Sequence, residues 1–188
     1  MEIEIIKFLQ SFSNETLVSI ATLISHLASV YGFALMIMML FAFSKPKFAI
    51  TFGFTYGIGF GTSQLLKAII DKPRPFEIDA GIVDYLHSYD ASMPSGHMIS
   101  ACIMAVFLIY IITKNIRNKT LKNCLITLIS IFVLLVMISR QFLGQHFLSD
   151  VLVGLILGIA LAIVWIIIYE KIKIINQTQK KSLIKTKT

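Results

Sequence analysis

The sequence is poor in charged residues and in cysteine. Only 14% of its 188 residues are charged, whereas soluble domains average about 25%. Two cysteines are too few for a disulfide-built secreted scaffold, and an apolar content of 56% excludes a disordered chain. The net charge of +7 does not indicate nucleic-acid binding, because the basic residues cluster at the ends of apolar segments. A small polytopic membrane protein remains.

The apolar segments predict how often the chain crosses the membrane. A spanning helix needs about 20 mostly apolar residues, since its backbone must satisfy its own hydrogen bonds in lipid. Residues 3–27 have amphipathic spacing, which favours a helix lying on the membrane surface over a sixth span. Glu2 and Glu4 precede any apolar run, so we expect no secretory signal peptide. Five stretches qualify as spans: residues 28–43, 48–66, 98–113, 124–138 and 147–169.

We therefore predict an all-α fold, a polytopic membrane helix bundle of five or six transmembrane helices with an N-terminal amphipathic segment. Its predicted parts are the segment 1–27, a membrane domain over residues 28–170 and a disordered basic tail over residues 171–188. Glycines at four-residue spacing predict close helix packing on two of the spans. These glycines are Gly53, Gly57 and Gly61 on the second span, and Gly154 and Gly158 on the last.

The charges of the loops predict the orientation of the bundle. The loop 114–123 carries four basic residues and no acid, and the tail is also basic, so both are expected in the cytoplasm. The loop 71–96 carries five acids against two cations and is expected outside. The chain is thus predicted to be a multi-pass plasma-membrane protein.

The rare polar residues of the spans fall at their predicted outer ends. Cations at this depth favour phosphate, and the unpaired N–H groups of a helix N-terminus also bind anions. We therefore expect these residues to meet and to form an anion cradle, with a phosphoryl group as its ligand. They are Lys67, Arg74, Ser95, Gly96, His97, Arg140, His146 and Asp150.

The two histidines and the carboxylate predict chemistry at this cradle. Asp150 lies four residues after His146, on the same face of a helix, and can accept a hydrogen bond from one imidazole nitrogen. That bond fixes the tautomer and makes the other nitrogen a better nucleophile. His97 can then protonate the leaving oxygen, while the cations stabilise charge in the transition state.

Three motifs, intact and in order, resemble the signature of the type 2 phosphatidic acid phosphatase superfamily. They are Lys-x6-Arg-Pro from Lys67 to Pro75, Pro-Ser-Gly-His from Pro94 to His97, and Ser-Arg-x5-His-x3-Asp from Ser139 to Asp150. The resemblance implies a catalytic membrane domain with His146 as the nucleophile that forms a phosphohistidine, Asp150 as its partner and His97 as the acid. It also implies that Lys67, Arg74, Ser95, Gly96 and Arg140 bind the phosphate, with no cofactor or metal.

The substrate expected from this resemblance is a lipid phosphate whose tail stays among the membrane lipids. Compact bacterial members of the family suggest undecaprenyl diphosphate first, with phosphatidylglycerol phosphate or phosphatidate as alternatives. Vanadium haloperoxidases share the motif pattern but are soluble. A metal site of His97, His146 and Asp150 is opposed by the neighbouring cations. An anion transporter or channel would need polar residues through the whole bilayer, and the inner halves of the spans are nearly all apolar.

Overall fold

A computed structural model describes residues 1–42 and 46–185, with side chains up to residue 179. All regular structure in these residues is helical, which confirms the predicted all-α membrane bundle. The predicted first span ends at residue 43 and the predicted tail at residue 188, and both of these end positions lie outside the described residues. The helices are α1 (Glu2–Gln10), α2 (Glu15–Leu27), α3 (Val30–Ala42), α4 (Pro46–Ile70), α5 (Pro75–Ile78), α6 (Gly96–Asn115), α7 (Lys119–Phe142) and α8 (Leu148–Lys185).

Three helices of the described chain are long and apolar enough to cross a membrane: α6, α7 and the part of α8 from Leu148 to Gln179. The pair α2 and α3 adds a fourth candidate if the two helices, bent by 49° at their junction, form one span. The helix α4 has 25 residues, a length of about 37 Å. It is long enough for the predicted second span, but with its glycines, threonines and serine it is not among the three helices that qualify by both length and apolar composition.

The N-terminal segment differs from the prediction in where it divides. The 13 residues of α3 reach only about 20 Å, less than the hydrocarbon core of about 30 Å. Instead of starting a span at residue 28, α3 continues α2 beyond the bend. The helix α2 begins where the Asn14 side chain accepts a hydrogen bond from the Leu17 N–H group (2.9 Å). Only α1 is left as a separate short helix, and its Ile6 is buried against Ile82 and Phe147.

The glycines of α8 allow it to pack closely against α6, as predicted. A Cβ atom on Gly158 would lie 2.6 Å from the Ile99 carbonyl oxygen and 2.7 Å from the Cys102 Cβ. A Cβ atom on Gly154 would lie 2.7 Å from the Ser95 carbonyl oxygen. Because backbone atoms cannot give way as flexible side chains do, these two glycines fix the distance between α8 and α6, the helix that carries His97.

The prediction that the glycine ridge of α4 packs in the same way is wrong. Cβ atoms on Gly57 and Gly61 would meet no described residue within 4 Å, and one on Gly53 would make only an ordinary contact. The glycine of α4 that faces a neighbour is Gly59, whose Cβ would lie 2.7 Å from the Ile103 Cδ1 atom. The four-residue spacing was present, but the orientation of the helix places its contact face one or two residues away.

The last helix is longer than the predicted span. It runs for 38 residues, about 57 Å, and does not end near residue 169. The described part of the predicted basic tail is therefore helical rather than disordered. The sequence explains this result, because neither glycine nor proline occurs between residues 159 and 185 to interrupt the helix.

Candidate active site

A cavity of about 240 Å³ lies where α4 ends, α6 begins and α7 ends. Six of the eight predicted site residues line it: Lys67, Arg74, Gly96, His97, Arg140 and His146. The other two, Ser95 and Asp150, are fully buried directly behind the cavity wall, where the Ser95 N–H group donates to the Asp150 carbonyl oxygen (3.1 Å). Residues separated by up to 79 positions in the chain are thus brought to one end of the bundle.

Two larger clefts, of about 540 and 660 Å³, lie at the opposite end of the bundle. They are lined by aromatic and basic residues such as Tyr169, Lys47 and Lys173. None of the eight predicted site residues is among the described residues that line them. Size alone would favour the opposite end of the bundle, whereas the side-chain chemistry favours the smaller cavity.

Arg140 is a buried cation that the protein leaves partly unpaired. Its side chain is only 2% exposed, and its Nη1 atom donates to the Ser25 hydroxyl oxygen (2.6 Å). Its Nε atom has no hydrogen-bond partner within the described residues. Ser25 belongs to α2, so the bent helix pair contributes to the site, which the sequence did not indicate.

Arg74 is held rigidly by the backbone around it. Its Nη1 atom donates to the Gln145 carbonyl oxygen (2.8 Å) and to the Gln145 Oε1 atom (3.1 Å), and its Nε atom donates to the Asp90 carbonyl oxygen (2.7 Å). Gln145 directly precedes His146 in the chain. The guanidinium group of Arg74 therefore links the loop before α6 to the loop before α8.

Asp90 binds two of the predicted phosphate-binding cations. Its carboxylate accepts hydrogen bonds from the Lys67 Nζ and the Arg74 Nη2 atoms. Partial burial raises the pKa of Asp90, but the hydrogen bond from Lys67 and the charges of Lys67 and Arg74 outweigh burial and hold its pKa below the usual value. Nothing in the sequence pattern distinguishes Asp90 from the other four acids of its loop.

The contact of His146 differs from the prediction. Its Nδ1 atom lies 2.7 Å from the Ser92 carbonyl oxygen. A carbonyl oxygen only accepts hydrogen bonds, so Nδ1 carries the proton and Nε2 keeps a free lone pair. The predicted acceptor, Asp150, is 3.9 Å away from Nδ1, which is too far for a hydrogen bond. The backbone of Ser92 therefore fixes the tautomer in place of the carboxylate.

Asp150 is occupied by other partners. Its Oδ1 atom accepts from the Lys72 Nζ atom (2.6 Å), and its Oδ2 atom accepts from the Ser92 hydroxyl and from the Phe147 N–H group (2.8 Å). These bonds clamp the segment around Ser92 and the start of α8 to each other. The carboxylate thus orients His146 through Ser92, one residue removed from the direct contact that was predicted.

The imidazole of His146 is kept neutral by its surroundings. The side chain is buried, and burial disfavours the charged form. The positive charges of Arg140, Arg74 and Lys67 act in the same direction, so the pKa of His146 lies well below its usual range. A neutral imidazole with its proton on Nδ1 is the form in which Nε2 can act as a nucleophile.

A tight turn places His146 at the end of α7. Gly144 adopts φ +74°, a conformation that glycine adopts without strain. A Cβ atom at this position would lie 2.3 Å from the Val83 carbonyl oxygen. The Gln10 side chain of α1 donates to that same oxygen (2.8 Å) and to the Phe142 carbonyl oxygen (3.0 Å). The N-terminal helix thereby secures both the acidic loop and the turn before His146.

Two buried hydroxyl groups lie near the cavity, Ser63 on α4 and Ser95 at the N-cap of α6. Among the described residues, the Ser63 and Ser95 Oγ atoms have no hydrogen-bond partner. A Cβ atom on Gly96 would lie 3.2 Å from the Ser63 Oγ atom, so glycine keeps this approach open. Ser63 was not predicted as a site residue, although it lies four residues before Lys67 on the same face of α4. Unpartnered buried donors such as these are available to an anionic ligand.

The histidines and the carboxylate do not assemble into a metal site. Across residues 1–42 and 46–185, no group of three or more His, Cys, Asp or Glu side chains is placed to hold a metal ion. His97 and His146 both line the cavity, but Asp150 points to Lys72 and Ser92. The geometry therefore does not support the alternative ligand set of His97, His146 and Asp150.

Comparison with known proteins finds relatives of one kind. Residues 48–174 match the PAP2 superfamily. Phosphatidylglycerophosphatase B of Bacillus subtilis is 32% identical over 123 residues, which are 63% of this chain and 58% of that protein. Undecaprenyl-diphosphatase BcrC of the same organism is 29% identical over 163 residues, which are 85% of this chain and 79% of that protein. The chain thus spans under two thirds of the first relative and over two thirds of the second.

Two solved structures share the fold. The crystal structure of a transmembrane PAP2-type phosphatidylglycerolphosphate phosphatase from Bacillus subtilis superimposes with a TM-score of 0.78 at 26% identity, covering 91% of this chain and 85% of that one. LpxE of Aquifex aeolicus superimposes with a TM-score of 0.72 at 21% identity, covering 87% of this chain and 93% of that one. At that identity, the second likeness concerns the fold alone.

Proposed function

The chain belongs to the PAP2 superfamily, and we propose that it is a membrane lipid phosphate phosphatase that works through a phosphohistidine on His146. The observation that carries this proposal is the neutral, buried His146. Its Nδ1 proton is held by the Ser92 carbonyl, and it shares one cavity with His97 and three cations. The relatives named as lipid phosphatases support the class of substrate.

The proposed reaction has two steps. The Nε2 lone pair of His146 attacks phosphorus, and the bond from phosphorus to the leaving oxygen breaks as His97 gives that oxygen a proton. Lys67, Arg74 and Arg140 stabilise the negative charge on the phosphoryl oxygens. His97, now neutral, then takes a proton from water, whose oxygen attacks phosphorus as the bond between phosphorus and the His146 Nε2 atom breaks. Inorganic phosphate leaves, and His146 returns to its neutral form.

The rim of the cavity supports a lipid as the carrier of the phosphate. Three apolar or aromatic residues line it on one side: Val30 of α3 with Tyr56 and Phe60 of α4. Val30 and Phe60 are 56% and 61% exposed, on the outer surface of the helices. A phosphate headgroup bound inside would therefore leave its tail between α3 and α4, in the bilayer.

Undecaprenyl diphosphate is the proposed substrate, since undecaprenyl-diphosphatase BcrC aligns with 85% of this chain. A second candidate is phosphatidylglycerol phosphate, because phosphatidylglycerophosphatase B and the structural neighbour of that activity are also similar. Phosphatidate is a third, from the resemblance of the motifs. The site is proposed to face the extracytoplasmic side of the plasma membrane, on the charge pattern of the loops.

The test is phosphate release by the purified full chain from each of these three lipids. We expect turnover of at least one lipid, none above background for His146→Ala, and normal turnover for the control His87→Ala, which removes an exposed histidine outside the cavity. Rapid quenching with a phosphate-labelled lipid should trap an acid-labile label on the wild-type protein. Wild-type turnover by His146→Ala would refute the nucleophile, and release from none of the lipids would refute the function.

A further inference from the structure

Asp90 occupies the cations that the proposed function assigns to the substrate phosphate. One oxygen of its carboxylate accepts from the Lys67 Nζ atom, and the other accepts from the Arg74 Nη2 atom. A phosphoryl group would present its oxygens to the same two donors. The carboxylate and a phosphate therefore compete for one position in the site.

Arg74 has few donors left for a phosphate while this contact exists. A guanidinium group has five N–H donors. The two on Nη1 bind Gln145, and the one on Nε binds the Asp90 carbonyl oxygen. Only the Nη2 donors remain, and one of these holds the Asp90 carboxylate. Arg74 can therefore offer its full Nη2 edge only after that carboxylate has moved away.

The structure favours movement of the acid over movement of the cations. The Asp90 side chain is 49% exposed, whereas those of Lys67 and Arg74 are 9% and 3% exposed. Arg74 is also anchored by the Gln145 and Asp90 carbonyl oxygens, and neither anchor requires the Asp90 carboxylate. When the side chain of Asp90 turns outward, the cations thus stay in place for the ligand.

We propose that Asp90 is a displaceable internal ligand that neutralises Lys67 and Arg74 in the empty site and weakens the binding of phosphate. A ligand can bind only to those molecules in which the Asp90 carboxylate has moved away. Its apparent affinity is therefore the intrinsic affinity multiplied by the fraction of such molecules. The same competition favours release of inorganic phosphate after the reaction. This inference rests on the proposed function only in taking the cavity to be a phosphate site.

The test compares Asp90→Asn with the matched control Asp71→Asn. Asp71 is exposed, lies outside the cavity and carries the same charge in the same loop. Binding of inorganic phosphate to the purified full chain is measured by calorimetry and by the phosphate dependence of the melting temperature. We expect Asp90→Asn to bind phosphate about tenfold more tightly, the scale of one charge-assisted hydrogen bond, and to melt at a lower temperature without phosphate. The control should match the wild type.

Unchanged or weaker phosphate binding by Asp90→Asn would overturn the proposal, because it would mean that Asp90 only positions the cations. Binding of phosphate to neither protein would overturn it as well. If Asp90→Asn unfolds in phosphate-free buffer, its melting temperature is measured at several phosphate concentrations. The rise of the melting temperature with phosphate concentration then gives the affinity. Turnover of lipid phosphates is measured separately. If Asp90→Asn binds phosphate more tightly but the wild type turns over no lipid, only the proposed function is refuted. If the wild type turns over a lipid but Asp90→Asn binds phosphate as the wild type does, only this inference is refuted.

Discussion

Asp150→Asn and Ser92→Ala are expected to impair the same contact, because Asp150 reaches His146 through Ser92. The three partners of the Asp150 carboxylate, namely Lys72, the Ser92 hydroxyl and the Phe147 N–H group, are all donors to it. The amide of an asparagine in its place has only one oxygen that can accept hydrogen bonds. Its NH₂ group would face another donor and could not form a hydrogen bond with it. Breaking a buried ion pair costs about 3–5 kcal/mol. Since Lys72 is 26% exposed, we expect Asp150→Asn to lose about 2–4 kcal/mol of unfolding free energy.

The effect on activity follows from the bond between His146 and the Ser92 carbonyl oxygen. When Asp150 no longer holds Ser92 in place, the His146 imidazole loses its fixed tautomer and its fixed orientation. A misplacement of about 1 Å costs on the order of 100-fold in rate. We expect Asp150→Asn to lower kcat by about 10- to 100-fold, with KM nearly unchanged. Ser92→Ala should lower kcat in the same way and lower the unfolding free energy by about 1 kcal/mol.

The double variant decides between the indirect route and a direct one. If Asp150 acts through Ser92, the double variant should lose little more kcat than Asp150→Asn alone, because both changes remove one interaction. Unfolding in detergent and phosphate release supply the two measurements. Ser149→Ala is the control, since it deletes another hydroxyl bound to Lys72 that does not contact His146. If the losses of kcat in the two single variants add up in the double variant, or if Ser92→Ala keeps full kcat, the indirect route is refuted. Asp150 would then act on His146 directly.

The remaining predictions concern pH, helix packing, metal and orientation. Since the pKa of His146 lies below its usual value near 6.5, the acid limb of kcat/KM should fall below pH 6.5; an inflection above that pH contradicts the neutral nucleophile. Gly158→Ala should lower the unfolding free energy by about 1–3 kcal/mol, whereas Gly57→Ala, which meets no neighbour, should not; equal effects would contradict the close packing. Phosphate release should persist in EDTA, and a loss restored by added metal would show that the reaction needs one. In intact cells an impermeant thiol reagent should label a cysteine placed at Asp84 but not one at Lys119, and the opposite pattern reverses the proposed orientation.

The gathering of the site residues could be predicted because each one stands at a helix end. Spans alternate in direction, so the end of α4, the start of α6, the end of α7 and the start of α8 all come to one end of the bundle. Six of the eight predicted residues line one cavity there. Their catalytic and binding roles rest on chemistry and on the resemblance, and they stay predictions.

The residues that orient the site could not be predicted from the same pattern. Asp90 and Ser92 lie in an irregular loop, where neither helical nor strand periodicity indicates which side chain points inward. Ser25 reaches Arg140 because α2 packs along α7, whereas the apolar pattern predicted a span that begins only at residue 28. Such contacts depend on the packing of distant segments, which a local pattern does not contain.

The charges around the cavity favour an anion and also oppose protonation of His146. Asp90 binds Lys67 and Arg74, and Asp150 binds Lys72, but among the described residues no carboxylate forms an ion pair with Arg140. The buried guanidinium of Arg140 thus lies near His146 with no directly bonded carboxylate among the described residues. Its field opposes protonation of the imidazole and attracts a phosphate by the same physical effect. In the proposed reaction, a bound phosphate would place a negative charge beside Arg140 and so offset the cost of burying this cation.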